Sequence, residues 1–327
     1  MYLSVVIPVY NSSNTLADLT DRLMDTLTSL GQEFEIIFVE DGGGDSSWEV
    51  LCKLQQHYPE NVIAIQLMRN FGQHNALMAG LRKSSGQYVV TMDDDLQNPP
   101  EEITKLVEAI ENSEYDLVYG NYGEKKHASW RNIGSFLALL FFRHIFKITV
   151  YATSFRIIRR ELLRCIFSYN LNYTYIDGLL AWNTTRIGDV LVEHDSRVSG
   201  KSGYSLSKLI LLSLNLITNF SLLPLQVVST LGFVTAVGGF VTGTYYIGQA
   251  LLSDISVPGY ASTIVAIMLL GGAQLLALGM LGEYVGRMHI NVNRKPQYAI
   301  RHIISCGVDR GAEGDAANDV RFGIGND

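Results

Sequence analysis

The sequence predicts an α/β protein, a mostly parallel sheet covered by helices, followed by a two-helix transmembrane hairpin. Three observations predict it. Apolar runs alternate with helical patterns through roughly the first 120 residues. Those runs end in polar residues, where an open α/β sheet binds its ligands. Two long apolar segments without charge then follow, Val227–Leu252 and Tyr260–Leu281.

The elements follow in order. Leu3–Val9 reads as a strand buried on both faces, since it shows little alternation. Pro8 and the run Asn11-Ser12-Ser13-Asn14 break it, and Asn14 caps a helix over Thr15–Leu30. Phe34–Val39 is a second strand, ending at Glu40-Asp41, with a glycine run Gly42-Gly43-Gly44 behind it. A helix over Ser47–His57, a strand Val62–Leu67 and a helix Gly72–Ser84 come next. Tyr88–Met92 is the fourth strand, Glu101–Asn112 the fourth helix, and Leu117–Tyr119 the fifth strand. This rhythm implies parallel pairing with right-handed crossovers.

The fourth strand runs into Asp93-Asp94-Asp95-Leu96-Gln97-Asn98-Pro99-Pro100. Three adjacent carboxylates repel one another. Asp93 and Asp95 are two apart, so on an extended strand end they project the same way. Hard oxygen donors of this kind suit Mg²⁺ or Mn²⁺, with water and phosphate completing the shell. A solvated acidic turn ahead of a helix N-terminus is the other reading. With such acids a nucleotide diphosphate is a natural ligand, and Asp41 is placed to accept hydrogen bonds from its base or ribose.

Residues 121–205 are less regular. Trp130–Phe146 and Leu206–Phe220 are rich in Leu and Phe with scattered basic residues. They read either as helices on a membrane surface or as core. Arg131, Arg156, Arg197 and Lys201 could meet phosphate oxygens, Arg with a planar fork and Lys with a point charge. Val227–Leu252 and Tyr260–Leu281 each exceed the ~20 residues that cross a bilayer. Their linker carries no Lys or Arg, whereas Arg287, Arg294, Lys295 and Arg301 follow, so both outer ends face the cytoplasm. The segment Val308–Asp327 is rich in Gly, Ala and Asp and reads as a mobile tail. The expected divisions are a catalytic domain 1–205, a juxtamembrane helix 206–226, the hairpin 227–282 and a C-terminal segment 283–327.

The 327 residues carry a formal net charge of −7, which leaves no basic face for nucleic acid. Three cysteines, Cys52, Cys165 and Cys306, have neither metal-ligand spacing nor a disulfide framework, as in a reducing compartment. No basic n-region precedes the first strand, so no cleavable signal peptide is expected.

Ser4-Val5-Val6-Ile7-Pro8-Val9-Tyr10-Asn11, Val39-Glu40-Asp41-Gly42 and Asp93-Asp94-Asp95-Leu96-Gln97-Asn98-Pro99 together resemble the family-2 inverting glycosyltransferases of the nucleotide-diphospho-sugar fold. Arg69-Asn70-Phe71-Gly72, the loop from Arg197 to Ser205, the two apolar segments and Leu281-Gly282-Glu283-Tyr284-Val285-Gly286-Arg287 add a resemblance to the polyprenyl-phosphate glycosyltransferase branch. The resemblance spans residues 3–302. It implies inverting transfer of a sugar from a nucleotide-diphosphate sugar to undecaprenyl phosphate, for cell-envelope glycan or lipopolysaccharide modification. The setting it implies is a bacterial inner membrane with the catalytic domain in the cytoplasm.

Residue by residue, the resemblance implies Asp93, Asp95 and Gln97 at the metal. It implies Asp95, Arg131 and Arg197 in catalysis. Substrate contacts fall on Pro8, Tyr10, Asn11, Asp41, Arg69, Asp93, Asp94, Gln97, Ser135 and Lys201. The chain departs from the pattern in three places. Ser12-Ser13 replace the usual acid, Lys201-Ser202-Gly203-Tyr204 alters the basic loop, and Gly120-Asn121-Tyr122-Gly123 lacks the Arg often found after the fifth strand. A second enzymatic reading uses a sugar-hydroxyl acceptor with Asp177 as base. A third is an idle sugar-nucleotide-binding scaffold. The glycine-rich hairpin (Gly238-Gly239, Gly271-Gly272) leaves room for a homo-oligomer.

Overall fold

The computed structural model describes residues 1–123, 152–169, 174–195, 223–252, 260–292, 296–306 and 308–311. Strand β1, Leu3–Val9, is buried along its whole length, and so is β2, Phe34–Glu40. They pair in parallel, Leu3 opposite Phe34 through Val9 opposite Glu40. On one face Val5, Ile7 and Val9 share a core with Leu16, Leu19, Leu23 and Leu27 of α1, Leu16–Ser29. Val6, pointing the other way, meets α3, Gln73–Lys83. Burial on both faces is what the unbroken apolar strands called for.

The elements agree with the sequence pattern through β5. They are α2 Ser47–His57, β3 Val62–Leu67, β4 Tyr88–Thr91, a 3-10 turn Pro100–Glu102, α4 Ile103–Glu111 and β5 Leu117–Asn121. The cap of α1 differs from expectation. Its N-cap is Thr15, not Asn14, and Thr15 Oγ1 donates to the carbonyls of Ser12 and Asp94 at 3.0 and 2.7 Å. The hydroxyl ties the helix start to the acidic strand end instead of capping it.

Among the described residues, the stretch read as irregular holds β6 Arg156–Arg159, α5 Arg160–Ile166, α6 Ile176–Asn183 and β7 Ile187–Leu191. The C-terminal stretch contributes β8, Ile300–Ser305, and β9, Val308–Gly311, so the expected tail begins as a strand. The nine-stranded sheet has the order β7-β5-β6-β4-β1-β2-β3-β8-β9. β6 runs antiparallel between β4 and β5, and β8 runs antiparallel along β3. Ala299 and Arg301 add bonds to the backbone of Met68, just past the end of β3.

The chain divides into two compact units, Met1–Gly203 with Pro296–Asp327, and Tyr204–Lys295. Within the second, α7, Leu223–Leu252, packs on α8, Tyr260–Val292. Their described side chains include exposed Val227, Leu231, Phe233, Phe240, Leu275 and Leu278. Over the described residues alone, no helix is long and apolar enough to cross a membrane. Many side chains of α7 and α8 lie outside that set. The surface helices expected at Trp130–Phe146 and Leu206–Phe220 also lie outside it.

The close approach of α3 to the sheet depends on Gly80. A Cβ there would stand 2.4 Å from Val6 Cγ1 and 3.0 Å from Val39 Cγ2. Gly80→Ala should therefore destabilise the protein by about 1–3 kcal/mol through overpacking. Urea unfolding measures this, and a variant as stable as the parent would refute the packing account.

Candidate active site

The carboxyl ends of β1, β2 and β4 border a cavity of about 270 Å³. Pro8, Tyr10, Asp41, Asn70, Gly72, Gln73 and the three acids Asp93, Asp94 and Asp95 are among its lining. The acids are set apart by what each one bonds. Asp94 turns toward β1, where its Oδ2 accepts the N–H of Tyr10 at 3.1 Å. Burial drives its carboxyl up to about 6, with the charges of Asp93 and Asp95 adding to the shift. Asp93 is held on both oxygens. Gln73 Nε2 donates to Oδ1 and Ser154 Oγ to Oδ2, each at 2.6 Å. Burial raises its pKa, the neighbouring Asp95 raises it further, and the Ser154 bond opposes both. Asp95 Oδ1 accepts the N–H of Gln97 at 3.2 Å, across a turn in which Leu96 sits at φ 58°.

Asp41 lines the cavity and is also bonded within the protein. Its two oxygens accept the N–H groups of Phe71 and Gly72 at 2.7 and 2.9 Å, and it is 3% exposed. Burial raises its pKa against those bonds. It clamps the 69–72 loop, and Gly42 at φ +64° lets that loop come close. A Cβ at Gly42 would stand 2.4 Å from the Arg69–Asn70 peptide. Asn11, at φ 55°, accepts the N–H of Gly44 at 2.8 Å and so holds the glycine loop. The Arg69 guanidinium is exposed and lies 4.7 Å over the Phe71 ring. Arg131, Ser135, Arg197 and Lys201 lie outside the described residues.

Arg156 is not a phosphate ligand here. It is 1% exposed and paired with Asp177, and its Nε donates to Thr91 Oγ1 at 3.1 Å. Tyr119 donates its hydroxyl to the same Asp177 at 2.9 Å. Asp177, considered above as a base, is thus the counter-ion of a buried guanidinium. His74 stands nearby against the Tyr175 ring at 5.4 Å, and burial holds its pKa below the usual histidine value.

Sequence reasoning missed Gln73 and Ser154, the two clamps on Asp93. Gln73 opens α3 in the Asn70-Phe71-Gly72-Gln73 stretch, where a helix start beside the acids was the available signal. Ser154 had none, because it precedes a strand that was not predicted.

Among the described residues no group of three or more His, Cys, Asp or Glu side chains is arranged to hold a metal ion. The strand end offers the pair Asp93 and Asp95, whose charges act on each other. One or two carboxylates, with water and substrate phosphates, is how Mg²⁺ is commonly bound. The donor set therefore fits a hard divalent cation.

Residues 4–167 match the family described as glycosyl transferase family 2. The undecaprenyl-phosphate 4-deoxy-4-formamido-L-arabinose transferase of Edwardsiella ictaluri is 35% identical over 308 residues, covering 93% of this chain and 94% of the relative. The enzyme of the same name from Proteus mirabilis is 36% identical over 307 residues, covering 92% and 94%. Among solved structures, glucosyl-3-phosphoglycerate synthase from Mycobacterium tuberculosis, in complex with Mn²⁺, uridine diphosphate and phosphoglyceric acid, matches with a TM-score of 0.50. It is 18% identical and covers 66% of this chain and 76% of its own. That likeness is one of fold.

Two outcomes follow from these bonds. Asp177→Ala should cost about 3–5 kcal/mol in urea unfolding, because Arg156 is left buried without its counter-ion. A loss within error of zero would show that the pair is not holding the sheet. For Asp94, the folded carboxyl keeps its proton up to about 6, against an ordinary value of 3.8. The folded state then binds more protons than the unfolded one, so metal-free protein should lose stability as pH rises from about 4 to about 6. Asp94→Asn should flatten that slope in chelator-treated samples, and an unchanged slope would assign it to other groups.

Proposed function

The chain belongs to glycosyl transferase family 2 and is a glycosyltransferase, and on that premise we propose that it moves a sugar from a nucleotide diphosphate to undecaprenyl phosphate. The observation that carries this reading is the acidic end of β4, opening on the cavity at the strand ends, in a chain whose relatives are named for undecaprenyl-phosphate transfer. The relatives' names support a modified pentose as the sugar, and we assign the reaction to bacterial envelope modification.

In this reading Asp93 and Asp95, with Gln97, hold Mg²⁺ or Mn²⁺. The bound cation would supply Lewis-acid stabilisation of the leaving diphosphate. Gln73 and Ser154 fix the aim of Asp93 before any substrate arrives. Tyr10 and Pro8 wall the base, and the Asp41 clamp keeps the 69–72 loop, with Arg69, at the mouth of the cavity. Asp94 braces the floor. Arg131, Arg197, Ser135 and Lys201 are assigned to the two phosphate groups, where cations let two anions approach and offset charge developing in the transition state. The acceptor needs no general base. A phosphate monoester has its second pKa near ~6 and is largely dianionic at neutral pH. The engagement of Asp177 with Arg156 weighs against the hydroxyl-acceptor alternative.

We further assign α7 and α8 to a transmembrane hairpin in the inner membrane, with the catalytic unit cytoplasmic. Helices of 30 and 33 residues are longer than the ~20 residues a bilayer requires. Their exposed apolar side chains support the assignment. Covalent attachment to a membrane anchor raises the local concentration of an acceptor whose tail stays in the bilayer. The glycines at 238, 239, 271 and 272 put small residues on both helices, which supports homo-oligomer formation through them.

Turnover in proteoliposomes tests the reading, with undecaprenyl phosphate, Mn²⁺ or Mg²⁺ and a panel of nucleotide sugars. Nucleotide release should require both the lipid phosphate and the metal, and Asp95→Asn should reduce it by about a hundredfold or more. Release indifferent to the lipid would point to another acceptor, and full activity of Asp95→Asn would remove the metal assignment.

A further inference from the structure

The order of the sheet lines up five positions along one edge. Asp41 follows β2, Tyr10 follows β1, Asp93 follows β4, Ser154 precedes the antiparallel β6, and Tyr122 follows β5. The cavity lies on the β1–β2 side of the acids. A different wall stands on the β6–β5 side. The Tyr122 ring packs on His194, with centroids 4.2 Å apart and planes at 34°. Thr153, Ser154, Asn98 and the Asp93 carboxylate all lie close enough to act on its hydroxyl, which burial keeps protonated above the usual tyrosine value. Ser154 is itself the donor to Asp93 Oδ2, and Thr153 Oγ1 is fixed on the carbonyls of Gly120 and Phe155 at 3.0 and 2.9 Å. Asn98 is 2% exposed, yet its Oδ1 has no hydrogen-bond partner among the described residues. The segment behind it is anchored, since Asp195 donates its N–H to the carbonyl of Gln97 at 2.9 Å.

We propose that Tyr122 and Asn98 form the subsite for the transferred sugar, the Tyr122 hydroxyl and the Asn98 Oδ1 bonding hydroxyl groups of its ring. This rests on the nucleotide-sugar reading above and adds which residues read the sugar. Along the edge, a nucleotide in the cavity puts its diphosphate at the acids and its sugar one step further, against this wall. Among the described residues the wall carries no Lys or Arg. A phosphate next to Asp93 would ask for cations, and the position after β5 carries Tyr122 and no arginine. A sugar hydroxyl asks for one donor and one acceptor, and it gives a buried carbonyl oxygen the partner it otherwise lacks. His194 holds the ring in place from behind.

Calorimetry with Mn²⁺ separates the sugar from the rest of the donor. The probes are uridine diphosphate alone and its conjugates with glucose, N-acetylglucosamine and 4-deoxy-4-formamido-L-arabinose. Tyr122→Phe keeps the ring on His194 and removes only the hydroxyl. It should weaken the best-bound conjugate about tenfold and leave uridine diphosphate unchanged. Asn98→Ala should act in the same direction, with melting curves to confirm that it folds. Equal weakening of conjugate and bare diphosphate by Tyr122→Phe would place the residue at the phosphates and overturn the proposal. So would unchanged binding of both, or a parent protein that binds no conjugate better than the bare diphosphate. None of these readouts needs an acceptor, so failure to glycosylate undecaprenyl phosphate would count against the proposed function alone.

Discussion

Three adjacent carboxylates at the end of a buried strand repel one another, and the bonds that keep them apart decide how the surrounding loops lie. Asp94 is turned into the protein and reads the backbone of β1 through the Tyr10 N–H. Asp93 turns the other way and draws in the start of α3 through Gln73 and the approach to β6 through Ser154. Asp95 is stopped by its own turn, with Leu96 in the left-handed region that a branched-at-γ residue rarely occupies. That conformation costs energy and persists because the acids on one side and Pro99-Pro100 on the other leave the chain little choice. Three elements are thus tied to one strand end by charge. A cation at Asp93 and Asp95 would relieve a repulsion already arranged for it.

The clamp from Ser154 works only if β6 lies beside β4, and the buried Arg156 keeps it there. Arg156 is opposite Thr91 in the register of the two strands and bonds its hydroxyl. On its other side it meets Asp177 from α6 and the ring of Tyr119 from β5 at 5.9 Å. A guanidinium taken out of water gains little net stability from its partner, because desolvation offsets the attraction. What it contributes is position. An apolar residue could fill the volume but could not distinguish this register from one shifted by two. Ser154 lies two positions before Arg156, and that spacing converts the register into the placement of a hydroxyl on Asp93.

Much of this was legible in the chain. The strands through Leu117 were continuous apolar runs, and the acids at 93–95 followed one of them directly, so both the sheet and the edge carrying the candidate site could be read. The rest failed for physical reasons. β6 is four residues, Arg156–Arg159, with a charge at each end, and it reads as strand only when Asp177 is known to neutralise one of them. β8 carries exposed Arg301 and His302 because it is near the sheet's edge, where half of each strand meets water. Asp41, read as a ligand contact at a strand end, lines the cavity and also has partners inside the protein that the sequence did not show. Those partners, two N–H groups some 30 residues on, follow from the close passage of the 69–72 loop over Gly42, which is a fact of tertiary structure. Charge at a strand end announces a site but does not say whether the protein or the substrate takes it.

The rule that ligands bind at the carboxyl ends of parallel strands is therefore better stated for the edge than for the strands. β6 is antiparallel, so the residues it brings to that edge come before it in sequence, at Thr153 and Ser154. β5 is parallel and brings Tyr122 from after its end. Reading across from β2, the edge passes from backbone clamped by Asp41, through the acids, to hydroxyl and amide groups around Tyr122. In the reading proposed above, the order apolar-and-backbone, anionic, neutral polar would take base, metal-bound diphosphate and sugar end to end. The switch in strand direction at β6 marks where the character of the edge changes, because the reversed strand is what allows an uncharged side chain to stand directly beside Asp93.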